Sequence, residues 1–190
     1  MNDKREEKTE KEKMLAGQMY NAADSELVAL RQQARVYRQA FNAAELDSSK
    51  RTEIAKQWLG TTGERIYIEA PLTLDYGCNI HVGENFYANF NWTVLDTCSV
   101  TIGKNAMLGP NVQFYTALHP LKAEERIAGP EYGAPIEIGD NVWIGGGAII
   151  LAGVILGDNV VVGAGSVVTK SFGDNVVLAG NPARVIKTID

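Results

Sequence analysis

The chain has 190 residues, a formal net charge of −5 and a hydrophobic fraction of 45%. That is room for one well-cored domain with an appendage, and the acidic balance argues against nucleic acid as the main partner, though it allows a polyanionic small ligand where cations gather locally. No apolar run approaches the ~20 residues of a membrane span and the N-terminus is charged where a signal peptide would be apolar, so a cytoplasmic location is expected; Cys78 and Cys98 are too few and too isolated for a disulfide framework or a zinc knuckle and read as packed or idle thiols.

In chain order, Met1 to Lys13 mixes charges of both signs and reads as a frayed end or a solvated helix without chemistry. From Asp24, a good N-cap residue, Leu27, Leu30, Ala34, Tyr37 and Phe41 keep helical spacing to about Ala44. A second helix is predicted from Ser48 or Ser49 through Ile54, Ala55 and Trp58 to a stop at Gly60. Residues 1–60 would then form a helical cap on one end of the remaining chain.

From about Ile66 onward the chain is a repeat. It begins irregularly around Ile66 and Leu74; Val82, Ala88 and Val94 are six apart, the step to Ile102 has two extra residues, and Leu108 and Phe114 resume the period. After a gap, Ile138, Ile144, Ile150, Leu156, Val162 and Val168 recur every sixth residue without a slip. A six-residue period fits neither a 3.6-residue helix nor a freely alternating strand, but it fits a solenoid of short strands and turns around a continuous aliphatic core. Hairpins in a β-sandwich, the competing architecture, would turn every ~8–12 residues and vary in length. Gly139, Gly145, Gly157 and Gly163 each come after an aliphatic position, where turns are expected to need permissive backbone angles. The solenoid is thus assigned to residues 61–172, with residues 115–135 leaving it as one long excursion and residues 173–190 closing the chain. A long loop thrown out of a regular stack is usually functional.

One of the two histidines, His119, sits in that excursion, stiffened by Pro120. Glu131, in the same excursion, could hold one ring nitrogen while the other faces a substrate, an arrangement that fixes the tautomer of a general base. The other histidine, His81, lies within a repeat unit and is expected to point to solvent. Asn89 comes after the core residue Ala88, so its amide should emerge from the coil, able to donate to an oxyanion or simply to satisfy a turn. Gly145–Gly147 and Gly163–Gly165 would leave a flat surface for a long thin ligand, whose phosphates Lys170, Arg184 and Lys187 could meet.

In EKMLAGQMYNAAD, GERIYIEAPLTLDYGCNIHVGENFYANFN, TALHP, PIEIGDNVWIGGGAII, GAGSVVTK and AGNPARVIK the chain resembles the hexapeptide-repeat O-acetyltransferases of the maltose and galactoside branch, nearly end to end. The resemblance implies a left-handed parallel β-helix, an exception to the right-handed crossover preference. It implies acetyl-CoA as co-substrate with no metal, a sugar acceptor, and homotrimers with active sites between subunits. On this resemblance His119 matches the catalytic base, Asn89 the oxyanion amide and Glu131 the carboxylate beside the histidine. Asp75, Tyr87 and Asp96 match the acceptor pocket. Gly146, Ala164, Thr169, Lys170, Arg184 and Lys187 match the CoA track, with Trp143 beside it. Glu131 and Thr97 lean toward the maltose type, NFYANFNWT toward the galactoside type, and the N-terminal sugar-contacting acid of the galactoside enzymes aligns with Ala22, close to Asp24.

The expected reaction is direct transfer in a ternary complex, with neither cysteine in a nucleophile motif. Three alternatives stand beside it. A γ-type carbonic anhydrase shares the solenoid but needs three histidines for its zinc, and the chain has two. An acetyltransferase for a non-sugar acceptor, such as an antibiotic or an amino acid, and a non-catalytic binding solenoid are the others.

Overall fold

A six-residue unit cannot bury an aliphatic side chain alone, and the chain meets this by stacking units into a triangular prism. The structure, a computed structural model, describes residues 7–190. Three helices come first: α1 (Glu10–Leu15), α2 (Ser25–Ala43) and α3 (Ser48–Trp58). Successive coils are then β1 (Ile66–Ile68), β2 (Leu72–Leu74), β3 (Ile80–Val82); β4 (Phe86–Ala88), β5 (Trp92–Leu95), β6 (Val100–Ile102); and β7 (Met107–Leu108) with β8 (Gln113–Tyr115). The third coil is interrupted by an excursion carrying β9 (Ala117–Leu118), α4 (Ala123–Ile127) and β10 (Tyr132–Gly133), and is completed by β11 (Ile136–Ile138). Next come β12 (Trp143–Ile144), β13 (Ile149–Leu151), β14 (Ile155–Leu156), β15 (Val161–Val162) and β16 (Val167–Val168), and Phe172 bridges in parallel to Leu156. A final hairpin, β17 (Val176–Gly180) and β18 (Ala183–Thr188), ends the stack.

The strands form three parallel faces. Face one is β1-β4-β7-β12-β15-β17, with β18 antiparallel at its edge; face two is β2-β5-β8-β13-β16; face three is β3-β6-β11-β14. Between the faces run three edges, and each residue beyond a strand end belongs to one of them. The periodic aliphatics point inward and are buried, and an aromatic stack fills the wider coils: Trp92 lies 5.3 Å from Phe86 and 6.1 Å from Phe114 between ring centroids.

The open end of the first coil is closed by the helical region. Helix α3 packs on β1 and α2 on β2, while Gly60 and Gly63 donate to the Ile80 and Val82 carbonyls at 2.9 and 3.0 Å and so cover β3. Asp24 caps α2 as expected, accepting from the Glu26 and Leu27 amides. Helix α3 starts at Ser48, as expected, and is capped by Asp47, whose side chain accepts from Lys50 N. Its Arg51 is buried, donating from Nε to the Ile68 carbonyl at 3.1 Å and pairing with Glu69 at 3.0 Å. Part of the charged N-terminal stretch forms a helix, one of its two expected states. Residues 1–6 lie outside the described residues, but Thr9 opens α1 with a capping box to Glu12, and Met14 of this helix is buried.

The glycines correct a sequence expectation. Gly139, Gly145, Gly157 and Gly163 do not take left-handed angles; at the third–first edge that conformation falls to Asn85, Asn105, Asn141, Asn159 and Asn175, with φ of 57–58°. Their side-chain amides form a ladder down the edge, each donating to the next at 2.8–3.1 Å. A glycine precedes each of these turns, and at Gly83, Gly103, Gly139 and Gly157 the next coil lies against it, whereas Gly173 at the end of the stack meets nothing within 4 Å. A Cβ on Gly139 would sit 2.5 Å from Asp158 Oδ1 and 2.7 Å from the Gly157 backbone. At the first–second edge Gly145 likewise meets Ala164 N at 2.5 Å.

Candidate functional site

All departures from the six-residue step fall at one edge. Between faces two and three the step from Leu74 to Val82 and that from Val94 to Ile102 each exceed the period by two residues, and the excursion leaves from the same corner of the third coil. The enlarged corners stack and satisfy one another. Cys98 N donates to Thr116 Oγ1 at 2.9 Å, Thr97 and Thr116 hydroxyls lie 3.1 Å apart, and Asn79 Nδ2 donates to the Asp96 carbonyl at 2.7 Å.

Asp96 holds this corner together. It is fully buried, and its carboxylate accepts from the backbone N–H of Asp75 (3.1 Å), Tyr76 (2.9 Å) and Gly77 (2.7 Å). Burial pushes its carboxyl up to about 7, against the pull of those N–H groups. The resemblance placed Asp96 on the acceptor pocket's surface; the structure places it beneath, shaping the turn that presents Asp75. The Asp75 side chain is half-buried, and burial raises its carboxyl above the usual range while Arg31 opposes the shift and Glu131 adds to it. Arg31 of α2 donates to Tyr76 Oη and to the Ala22 carbonyl, both at 2.6 Å, and lies over the Tyr76 ring.

The excursion returns to this edge as a short antiparallel pair, Leu118 opposite Tyr132 and Ala117 opposite Gly133. Continuing that register by one residue sets His119 opposite Glu131, the neighbouring position the sequence suggested. His119 is exposed and Pro120 behind it is buried, with the Arg126 guanidinium tying the Pro120 and Leu121 carbonyls at 3.0 Å. The hydrogen bond to the Glu131 side chain comes from elsewhere: Tyr20 Oη donates to Glu131 Oε2 at 2.8 Å.

The remaining sequence candidates separate by edge. Asn89, Gly146 and Ala164 lie on the edge between faces one and two. Asn89 Oδ1 accepts from Phe90 N at 2.8 Å, which turns its amide nitrogen away from that contact. Below it in successive coils come Gly109-Pro110, Gly145-Gly146-Gly147 and Gly163-Ala164-Gly165, where Gly147 N bonds Pro110 O and Gly165 N bonds Gly146 O. In its lower two coils this edge is therefore a strip of small residues, whereas Phe90, Asn91 and Asn111 stand exposed on the coils above. Thr169 and Lys170 fall instead on the second–third edge, where Lys170 lies over the Phe172 ring. Tyr87, Trp143 and Lys187 belong to face one, in the row Tyr67, Tyr87, Met107, Trp143, Val161, Val177, Lys187; Tyr87 stacks on Tyr67 and Trp143 is 52% exposed. Arg184 stands exposed nearer the hairpin turn. One chain thus brings His119, Glu131 and Asp75 to one edge and keeps Asn89 and the glycine-rich corners on another. The two are a rung apart, roughly 15–20 Å, at the strand rise per residue. His81, on face three, is half-buried with Nδ1 3.0 Å from Thr61 Oγ1.

Sequence reasoning missed Tyr20, Arg31 and Met14, all of which reach this edge from the helical region. The one available signal was a run of apolar residues, Met14, Leu15, Met19 and Tyr20, directly after a charged segment. Among the described residues no group of three or more His, Cys, Asp or Glu side chains is placed to hold a metal ion, and no helix is long and apolar enough to cross a membrane.

The comparisons with known proteins bear on the fold and the family. Residues 13–63 match the model of the maltose acetyltransferase hexapeptide capping motif, and residues 135–170 that of the bacterial transferase hexapeptide with six repeats. The crystal structure of a maltose O-acetyltransferase from Clostridium difficile 630 is 53% identical, covers 96% of this chain and 98% of its own, and superposes with a TM-score of 0.95. A galactoside acetyltransferase in complex with coenzyme A is 42% identical, over 97% and 92% of the two chains, with a TM-score of 0.92. The galactoside O-acetyltransferase of Escherichia coli (strain K12) is 43% identical over 94% of this chain and 89% of its own length. The solenoid is accordingly a left-handed parallel β-helix. With a matching cap motif, matching repeats and this identity over almost its whole length, the chain belongs to the maltose and galactoside O-acetyltransferase family of hexapeptide-repeat acyltransferases.

Proposed function

We propose that this chain moves the acetyl group of acetyl-CoA to a hydroxyl of a sugar, maltose-, glucose- or galactoside-like, working in the cytoplasm as a homotrimer. The observation that carries the reading is the division of the site between two edges of one prism. A base and acceptor pocket on the second–third edge, and an oxyanion amide above a strip of small residues on the first–second edge, make one site only when the first–second edge of one copy faces the second–third edge of another. A threefold ring of prisms supplies that juxtaposition three times. In this division residues 1–60 are the cap, 61–172 the solenoid with its excursion 115–135, and 173–190 the closing segment.

The strip of Gly146 and Ala164 accommodates the extended donor, Trp143 lies beside it, and Thr169, Lys170, Arg184 and Lys187 meet its polar and phosphate groups. Asp75 and Tyr87 orient the acceptor, with Asp96 holding Asp75 from below. His119 takes the hydroxyl proton as that oxygen attacks the thioester carbonyl, with Glu131 fixing the ring. Asn89 Nδ2 donates to the oxyanion, and the imidazolium returns the proton to the departing thiolate.

The test is release of CoA thiol with maltose, glucose and a methyl galactoside as acceptors. His119→Ala should lower turnover by ~10²–10⁴ while leaving CoA binding in place. A variant that keeps wild-type turnover removes His119 as the base, and no thiol release with any acceptor leaves the chain a binding solenoid.

A further inference from the structure

Tyr20 belongs to neither the solenoid nor a helix, yet it makes three hydrogen bonds to one residue of the excursion. Its N–H donates to the Glu131 carbonyl at 2.9 Å, its carbonyl accepts from Glu131 N–H at 3.1 Å, and its hydroxyl donates to Glu131 Oε2 at 2.8 Å. Those two backbone bonds make Tyr20 and Glu131 a directly opposed antiparallel pair. Opposed residues project to the same side of their sheet, with Cβ atoms ~4.5–5.5 Å apart. Continued one residue beyond Leu118 and Tyr132, the register of β9 and β10 brings Glu131 opposite His119 on its other flank. His119, Glu131 and Tyr20 therefore form one row on one face of a three-stranded strip.

Tyr20 is well placed to hold that row still. It is 3% exposed and packs with Met14, Leu27 and Tyr76, so its ring is fixed by both the helical region and the enlarged corner. The segment before it is pinned as well, since Cys98 Sγ donates to the Met14 carbonyl at 3.2 Å. Burial and the bond to Glu131 push the Tyr20 hydroxyl up, so it remains a donor. Its donation occupies Oε2. Among the described residues Oε1 of Glu131 receives no protein hydrogen bond, so one carboxylate oxygen is held and the other is free to accept.

We propose that Tyr20 is a positioning residue for the transfer reaction: its hydroxyl fixes the Glu131 carboxylate, which in turn orients His119. The helical region thereby becomes part of the catalytic arrangement as well as a lid on the solenoid core. The inference rests on the assignment of His119 as base.

The experiment uses the full chain, with acetyl-CoA and whichever of maltose, glucose or methyl galactoside is turned over fastest. Tyr20→Phe deletes one oxygen and keeps the packing. It should lower kcat about tenfold or more while KM for acetyl-CoA stays within about twofold, since the lost bond is to a charged acceptor on the acceptor-side edge. In a Glu131→Ala background the same substitution should cost nothing further, because the group it positions is gone. Circular dichroism melts establish that each variant is folded. An unchanged kcat for folded Tyr20→Phe overturns the proposal, as does an equal loss in the Glu131→Ala background, which would mark a packing role. An unfolded Tyr20→Phe likewise overturns it in favour of a structural role. His119→Ala in the same assay separates the two readings: if it collapses turnover while Tyr20→Phe is silent, the base stands and the positioning role falls. If His119→Ala is fully active, the base assignment itself falls.

Discussion

Replacing Gly139 by alanine tests why glycines recur at the corners. The added methyl would stand 2.7 Å from the Gly157 carbonyl carbon and oxygen and 2.5 Å from Asp158 Oδ1, and relief to ordinary contact near 3.4 Å requires the next coil to retreat. The retreat is roughly 0.7 Å, enough to take a 2.9 Å bond past hydrogen-bond range. Three bonds cross that junction: Gly139 N to Leu156 O at 2.9 Å, Asp140 N to Asp158 Oδ1 at 2.7 Å, and Asn159 N to Asp140 O at 2.9 Å. Overpacking plus the loss of one or two such bonds gives a cost of about 2–4 kcal/mol. For a chain of this size that is a fall in Tm of roughly 5–15 °C. Gly163→Ala is the control, because its nearest neighbours, Leu178 O and Ala179 Cβ, are at 3.2 and 3.3 Å. It should cost under about 1 kcal/mol. Thermal and urea melts of both variants, at one protein concentration so that association does not enter, decide the matter. Equal losses for the two variants, or a Gly139→Ala melt within about 2 °C of wild type, would refute close approach as the reason.

Two further substitutions bear on the edges. Asp96 has its folded-state carboxyl raised to about 7 from the ordinary 3.8, so between those values the native state holds a proton that the unfolded chain has lost. Its contribution to stability is therefore present at the low end of that window and lost as pH rises toward 7; Asp96→Asn lacks the titration, and the stability gap between wild type and variant in urea melts should narrow from pH 4.5 to 7.5. A gap that widens would show the carboxylate stabilised as the anion. Asn141→Ala loses two rungs of the amide ladder, at 2.8 and 3.1 Å, and puts at φ 58° a residue without the polar side chain that lets asparagine tolerate that angle, for about 2 kcal/mol; Asn141→Gly keeps the angle and should cost about half of that in urea midpoint, whereas an equal cost would assign the whole effect to the ladder.

The architecture was legible because its signal is redundant. Ile138 to Val168 repeats the same spacing, and every one of those side chains is buried, so register, strand direction and core derive from one rule. Helices α2 and α3 were legible for the same reason, with Asp24 and the Leu27, Ala34 and Phe41 face. The reading failed where a residue's role depends on a neighbour distant in sequence. Tyr20 meets Glu131 across 111 residues, and Cys98 meets Met14 across 84. Nothing local in QMYN states this. The glycine error has a similar origin: a glycine required by the adjacent coil looks, in sequence, identical to one required by its own φ, and the residue two later carried the angle instead, Asn141 and Asn159 at one edge and Gly147 and Gly165 at another.

The position of the site reflects how a solenoid tolerates insertion. A residue added within a strand would rotate every later side chain out of the core, so added length survives only at corners. An enlarged corner exposes backbone groups that its neighbours must satisfy, and this is easiest where the neighbours are enlarged too. Here three consecutive coils are lengthened at the same corner, and the result is a polar interior beneath a surface: Asn79, Asp96, Thr97 and Thr116 are all buried there, whereas Ser166 is the buried polar group of a regular corner. Such a stack presents Asp75 on a rigid base and gives the excursion somewhere to dock. The eight-residue steps after Leu74 and Val94 and the long gap after Phe114 are in phase, each falling after a face-two strand. Counting that phase along the repeat is enough to place the acidic corner and the histidine loop on one edge, and Asn89 on another, from the sequence alone.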